Sequence, residues 1–198
     1  MLMSDEQKAE RVVALIEEMR ENSQEMRQWK NMALARECET LLHAISDRDA
    51  SAGMALALDA IIQQLPEYDV PRYVLTLLCY ELELVRDAGE QDGSQCPSAE
   101  DVEAHIRRLE DYIDAEHTSV SEFMERYGRH LTFDPVERSP EWEAHYLEVQ
   151  QECDRRLGDT PRGMGFCFGY WGTLREVLAE HGIRWHSPSE LNPRVMFD

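Results

Sequence analysis

Lysine is nearly missing from this 198-residue chain: only Lys8 and Lys30 stand beside eighteen arginines, and these 20 bases face 40 acids, a formal charge of −20. Such a surface repels a phosphate backbone, so direct nucleic-acid binding is not expected. There is no run of about 18 apolar residues, the length a membrane span needs. The longest stretches, such as Leu77-Leu78-Cys79-Tyr80, are short and interrupted, so no membrane segment is expected. A basic leader is absent too: Met1-Leu2-Met3-Ser4-Asp5-Glu6 places acids where a signal peptide carries positive charge, and a cytoplasmic location is the expectation.

Paired cysteines are also lacking. Cys38, Cys79, Cys96, Cys153 and Cys167 are odd in number and contain no CxxC, which argues against a disulfide framework and a zinc ribbon. Cys38, Cys79 and Cys153 lie beside apolar residues in helical segments and read as buried, reduced thiols. No GxSxG, GxxxxGK[ST], HExxH or HxxxH occurs. The loose glycine series Gly163, Gly165, Gly169 has no strand before it, so it is no dinucleotide fingerprint.

What remains supports a folded helical protein. Hydrophobic residues make up 42% of the chain, enough for a core despite its acidity. Residues 4–48 contain neither Gly nor Pro, and Val12, Ile16, Met19, Met26, Trp29 and Ala33 recur at helical spacing. Ser4 with Gln7 forms a capping-box pattern. The stripe lapses at Glu21-Asn22-Ser23-Gln24, which fits a turn or a polar patch on one long helix; the long helix is favoured.

Met54, Leu58, Ile61, Ile62 and Leu65 mark a helix that Pro66 stops. Asp69 and Pro71 open another, which should bury Tyr73, Val74, Leu77, Leu78, Leu82 and Val85. Residues 88–98 have linker composition. After them one helix is predicted from Ser98 to Gly128 on Val102, Ile106, Leu109, Ile113, Val120, Phe123, Met124 and Tyr127. Ser139-Pro140 starts a helix ending at Leu157-Gly158, and residues 164–181 form the last, before a tail broken by Pro188 and Pro193. Nothing alternates at period two for long enough to make a sheet. The expectation is an all-α fold: an irregular antiparallel bundle of six to seven helices with an irregular Pro-containing C-terminal tail. It is taken as a single domain over 1–198, with a possible division into 1–88 and 98–198.

Charge is unevenly spread. Residues 51–150 hold 22 acids and 7 bases, a net −15 of the total −20, while residues 151–198 hold 7 and 6. An acidic, lysine-poor surface can serve solubility alone, or record a GC-rich or high-salt source. The more specific reading is an acidic face formed by Glu100, Asp101, Glu103, Glu110, Asp111, Asp114 and Glu116, which would bind a basic protein partner by standing in for nucleic acid. The C-terminal segment offers Tyr170, Trp171, Arg175, Arg184, Trp185 and His186, either as a partner surface or as the place where the tail docks. Gly165, Gly169 and Gly172 share a helical face, which predicts close approach of another backbone.

Enzymatic chemistry has few parts. A carboxylate-bridged di-metal bundle needs Glu-x-x-His on two helices; the chain has only Asp114-x-x-His117, plus Glu39/His43 and Glu141/His145 at four-residue spacing. Pairs of that kind are by default surface ion pairs. Cys167 near a helix start could meet His181 or His186, but its neighbours Phe166 and Phe168 favour a packed thiol. The leading expectation is therefore a non-enzymatic, cofactor-free interaction protein that inhibits or regulates a basic, nucleic-acid-processing partner. A metalloenzyme centred on Asp114 and His117 and a self-associating scaffold are the alternatives.

Overall fold

A computed structural model describes residues 3–89 and 96–197. Among the described residues there are nine α-helices, three short 3-10 turns and no strand, an all-α helical bundle as expected. No helix among them is long and apolar enough to cross a membrane. The described residues of Met1–Glu67 and Arg72–Leu109 make one compact unit, and those of Tyr68–Pro71 and Glu110–Asp198 make another. The predicted linker over 88–98 falls mainly on residues 90–95, which lie outside the described residues.

In the first unit, α1 (Asp5–Gln24) opens with the predicted capping box, Ser4 Oγ accepting from the Gln7 amide at 3.2 Å and Gln7 Oε1 from the Ser4 amide at 3.0 Å. It buries Val12, Leu15, Ile16 and Met19. The single long helix over 4–48 is not what forms. The chain turns at Met26, with φ of +56°, passes through a 3-10 turn (Gln28–Lys30) and restarts as α2 (Asn31–His43). The polar run Glu21–Gln24 has nothing to bury, so reversing the chain costs no apolar contact and lets α2 fold back on α1.

Asn31, fully buried, holds that reversal together. Its Nδ2 donates to the Met19 carbonyl at 3.0 Å, the Gln64 carbonyl at 2.9 Å and Ser23 Oγ at 3.2 Å, while its Oδ1 accepts from Asn22 Nδ2 at 3.0 Å. The almost wholly apolar α3 (Ser51–Ile62) packs against α1. In α4 (Pro71–Ala88), Val74, Leu77, Leu78, Leu84 and Val85 are buried. Tyr73 and Leu82, expected inside, are half-buried, and Cys79, expected to be a buried thiol, is exposed. Glu81 occupies the interior instead, 2% exposed. Cys38 is buried, and desolvation pushes its thiol up to about 12.

The helix predicted over 98–128 is two helices, α5 (Ala99–Ile113) and α6 (Val120–Tyr127). Asp114 Oδ1 accepts from the His117 amide at 3.1 Å, and Ser119 with Glu122 forms a capping box that starts the second helix. Local side-chain bonds to backbone thus outcompete helix continuation. Gly128, where the sequence ends the helix, closes α6 in the left-handed conformation with φ of +64°. This break and a four-residue helix in the tail raise the number of helices above six or seven.

The second unit contains an aromatic cluster of Tyr112, Phe123 and Phe133, with Tyr68 and Tyr127 against it. A second cluster joins α7 (Pro140–Leu157) to α8 (Phe166–Glu180) through Trp142, Val149, Cys153, Leu174, Val177 and Leu178. The tail folds back over these helices. Trp185 packs on Trp142 with ring centroids 6.1 Å apart, and Phe197 meets Trp171 edge-on at 5.2 Å. The short α9 (Pro188–Leu191) is capped by Ser187 and Glu190. Buried Asn192 then pins the tail, its side chain bonding both the amide and the carbonyl of Thr132 at 2.8 Å.

Among the described residues, the glycine face of α8 does not receive another backbone. A Cβ added at Gly165, Gly169 or Gly172 would meet nothing within 4 Å. Gly165 instead supplies a left-handed cap with φ of +78°. Gly169 and Gly172 lie in ordinary helix with open space beside them, so Gly169→Ala and Gly172→Ala should each stabilise the protein by about 0.5–1 kcal/mol. Thermal melts of the two variants check this; a loss of stability in both would contradict it.

Candidate functional site

The seven acidic candidates divide by their partners. On α5, Glu100, Glu103, Glu110 and Asp111 recur at helical spacing on the face opposite buried Val102, Leu109 and Tyr112. Arg86 neutralises Glu103 at 2.7 Å, with Arg107 at 3.7 Å on its other oxygen. Asp111 binds Arg126 at 2.5 Å and accepts from Tyr127 Oη at 2.6 Å, and these bonds hold its carboxyl below the usual range. Asp101 accepts from Ser98 Oγ at 2.6 Å. Glu100, Glu110 and Glu116 are exposed and form no ion pair among the described residues.

Asp114 and His117 do come together, His117 Nδ1 lying 2.9 Å from Asp114 Oδ1. They do so at an exposed turn between helices and not inside a bundle. The hydrogen bond from His117 lowers the Asp114 carboxyl. Cys167 and His181 stand at opposite ends of α8, ~21 Å apart along its axis. His186 is engaged elsewhere.

The C-terminal candidates mostly serve the tail. Trp185 is buried, and its indole N–H donates to Glu137 Oε1 at 2.8 Å. Both the His186 amide, at 2.8 Å, and His186 Nδ1, at 2.7 Å, bind Asp134 Oδ2. Tyr170 donates to Gln150 Oε1 at 2.8 Å, Trp171 is half-buried against Phe197, and Arg175 pairs with Glu190 at 2.8 Å. Only Arg184 projects without such a contact among the described residues. Beside these groups Met164, Phe168, Val195 and Met196 expose apolar side chains.

Two features escaped the sequence. Asp69 and Glu137 are acids gripped by indoles: Trp142 Nε1 donates to Asp69 Oδ1 at 3.1 Å, as Trp185 does to Glu137. Desolvation outweighs these bonds and pushes Asp69 up to about 6 and Glu137 up to about 7. Asp69 itself is half-buried.

The second feature is a group of His145 and Glu148 on α7 with His181 at the end of α8, whose candidate ligand atoms all lie within 4.8 Å of one another. Spacing exposes the His145-x-x-Glu148 half; nothing local announces His181. Comparison of the chain with protein-family models, with curated proteins and with solved structures finds no match.

Proposed function

We propose that the protein acts by binding: the acidic outer face of α5 docks on a basic surface of a protein partner and thereby inhibits or regulates it. A nucleic-acid-processing protein is the partner class that fits, because its phosphate-binding groove presents the cationic surface that a row of carboxylates would fill. The observation supporting this reading is the placement of Glu100, Glu103, Glu110 and Asp111 on one helical face. Glu100 and Glu110 there, and Glu116 just beyond, have no ion pair among the described residues. Arg86, Arg107 and Arg126 offset part of the face, so these three glutamates carry its surplus charge. The exposed Met164, Phe168, Val195 and Met196 offer apolar anchors of the kind a bound partner would cover.

The test compares the wild-type protein with an E100Q/E110Q/E116Q variant as baits in the source cell extract. A partner bound through this face should lose at least ~10-fold in retention on the variant, and as much when salt rises from ~50 mM to ~500 mM, which shortens the screening length severalfold. A partner held equally by both baits, or unaffected by salt, would sink the proposal.

A further inference from the structure

The geometry points to a divalent transition-metal site formed by His145, Glu148 and His181, distinct from the acidic face. The three residues supply two imidazoles and a carboxylate, and their candidate ligand atoms lie within 4.8 Å of one another. Two elements of the second unit bring them together. His145 and Glu148 are three residues apart on α7, so they project from neighbouring positions on one face. His181 follows the last residue of α8, which packs on α7, and its ring lies 4.8 Å from that of His145 with the planes tilted by 44°.

What sets this group apart is the absence of competing engagements. His105 binds Glu67, His117 binds Asp114, His186 binds Asp134, and His43 stacks on Tyr80. Among the described residues His145, Glu148 and His181 have no side-chain hydrogen bond or ion pair with any other group. Their candidate ligand atoms lie close to one another instead. The half-buried imidazoles limit the motion of two ligands, while exposed Glu148 can swing. His181 also stands at the C-terminal end of α8, where the helix dipole favours a cation.

The donor set selects the ion. Imidazole nitrogen suits Zn2+, Co2+, Ni2+ and Cu2+, whereas Mg2+ and Ca2+ require mostly oxygen. A tetrahedral Zn2+ with bonds of ~2.0–2.1 Å spaces its ligand atoms ~3.4 Å apart, so the present group closes by at most about 1.4 Å on binding. Side-chain torsions of Glu148 and His145 can supply that closure. Three protein ligands leave one position for water or for a donor atom of a bound molecule, the arrangement of an open site.

Metal-stripped protein titrated with Zn2+, and separately with Co2+ followed by its visible d–d absorption, tests the assignment. One ion per chain should bind with micromolar affinity and resist millimolar Mg2+. His145→Ala and His181→Ala should each weaken binding by at least ~10-fold, and Glu148→Gln by ~3–10-fold, with helicity unchanged by circular dichroism. His117→Ala, at the other His–carboxylate pair, should leave affinity unchanged. Failure of Zn2+ to saturate the protein by ~1 mM, or equal affinity in an H145A/H181A variant, would overturn the site. Because Glu148 is exposed, its substitution reads coordination even if a histidine variant misfolds.

Discussion

Replacing Asn31 by Ala should destabilise the protein by about 2–4 kcal/mol. The substitution removes a side chain that is wholly inside the first unit and makes four hydrogen bonds. Two of its acceptors differ in what they would lose. The Met19 carbonyl lies within α1 and also accepts from Ser23 Oγ at 3.0 Å, so it keeps a partner. The Gln64 carbonyl lies beyond the end of α3, and the Asn22 amide loses its acceptor as well. A buried polar group left without a partner costs about 1–3 kcal/mol; Asn22 and Gln64 are half-buried, so each of these two losses lies near the low end of that range, and the space vacated by the buried Asn31 side chain adds to them.

Alanine is the better helix former at the first position of α2, which returns about 0.5 kcal/mol and is already counted in the net loss. Ser23→Ala, which removes two bonds whose other partners, the Met19 carbonyl and Asn31 Nδ2, stay bonded to each other, should cost less than about 1 kcal/mol. Urea unfolding followed by helicity compares the variants. An Asn31→Ala protein as stable as wild type would mean that Asn31 fills space in the α1–α2 reversal without holding it.

The same residue shows why part of this fold was legible and part was not. Signals confined to a few neighbours carried through: the Ser4/Gln7 box, Ser139 before Pro140, and Gly128 at the end of α6 all have the conformations their local chemistry dictates. The 98–127 stripe misled because Ile113 and Val120 are seven residues apart, a separation that keeps helical register whether or not the backbone between them is helical. Only the competing caps of Asp114 and Ser119 distinguish the two cases. Asn31 reads as an ordinary polar residue because its partners Met19 and Gln64 are 12 and 33 positions away.

The candidate sites follow the same division. The face shared by Glu100, Glu103, Glu110 and Asp111 follows from helical period alone, but their neutralisation by Arg86 and Arg126 depends on other helices. His145 and Glu148 are visible as a spaced pair on α7, yet His181 joins them only through the packing of α8. The α8 glycines erred in the opposite sense. Their spacing implied a backbone contact, whereas the structure leaves open space beside them.

Stability should fall as pH rises from about 5 to about 8, and Glu81→Gln should remove the largest part of that fall. Glu81 is 2% exposed, its Oε1 has no hydrogen-bond partner among the described residues, and desolvation, with a smaller contribution from Asp59, pushes its carboxyl from 4.5 up to about 8. The sign follows from proton binding. Below pH ~4 both folded and unfolded chains hold the proton, and burial of the neutral acid is tolerated. Between ~4.5 and 8 the unfolded chain releases the proton while the folded one keeps it, so unfolding gains ground with each pH unit. Above 8 both are ionised and the full penalty applies, at most ~5 kcal/mol for a shift of this size.

Gln at position 81 cannot ionise, but its buried amide carries a desolvation cost of about 1–3 kcal/mol. The variant should therefore gain about 2–4 kcal/mol over wild type at pH 8.5 and lose about 1–3 kcal/mol at pH 4.5, where the amide cost stands without the ionisation gain. Glu137 and Asp69, raised to about 7 and about 6, act in the same direction over their narrower windows and leave a residual slope in the variant. The lowered carboxyls, Glu152 at about 2 together with Asp5, Asp111, Asp114, Glu122 and Glu190, lie at or near the surface, where their pairs are screened, and their effect lies below pH 4.5. Mutual repulsion among the 40 acids adds to the loss at high pH and is changed little by one buried substitution. Thermal melts of both proteins from pH 4.5 to 8.5 distinguish these contributions: curves that cross, with the variant less stable at low pH and more stable at high pH, are expected. A gain that is the same at every pH would show that Glu81 already holds its proton, or finds a counter-charge, throughout the range.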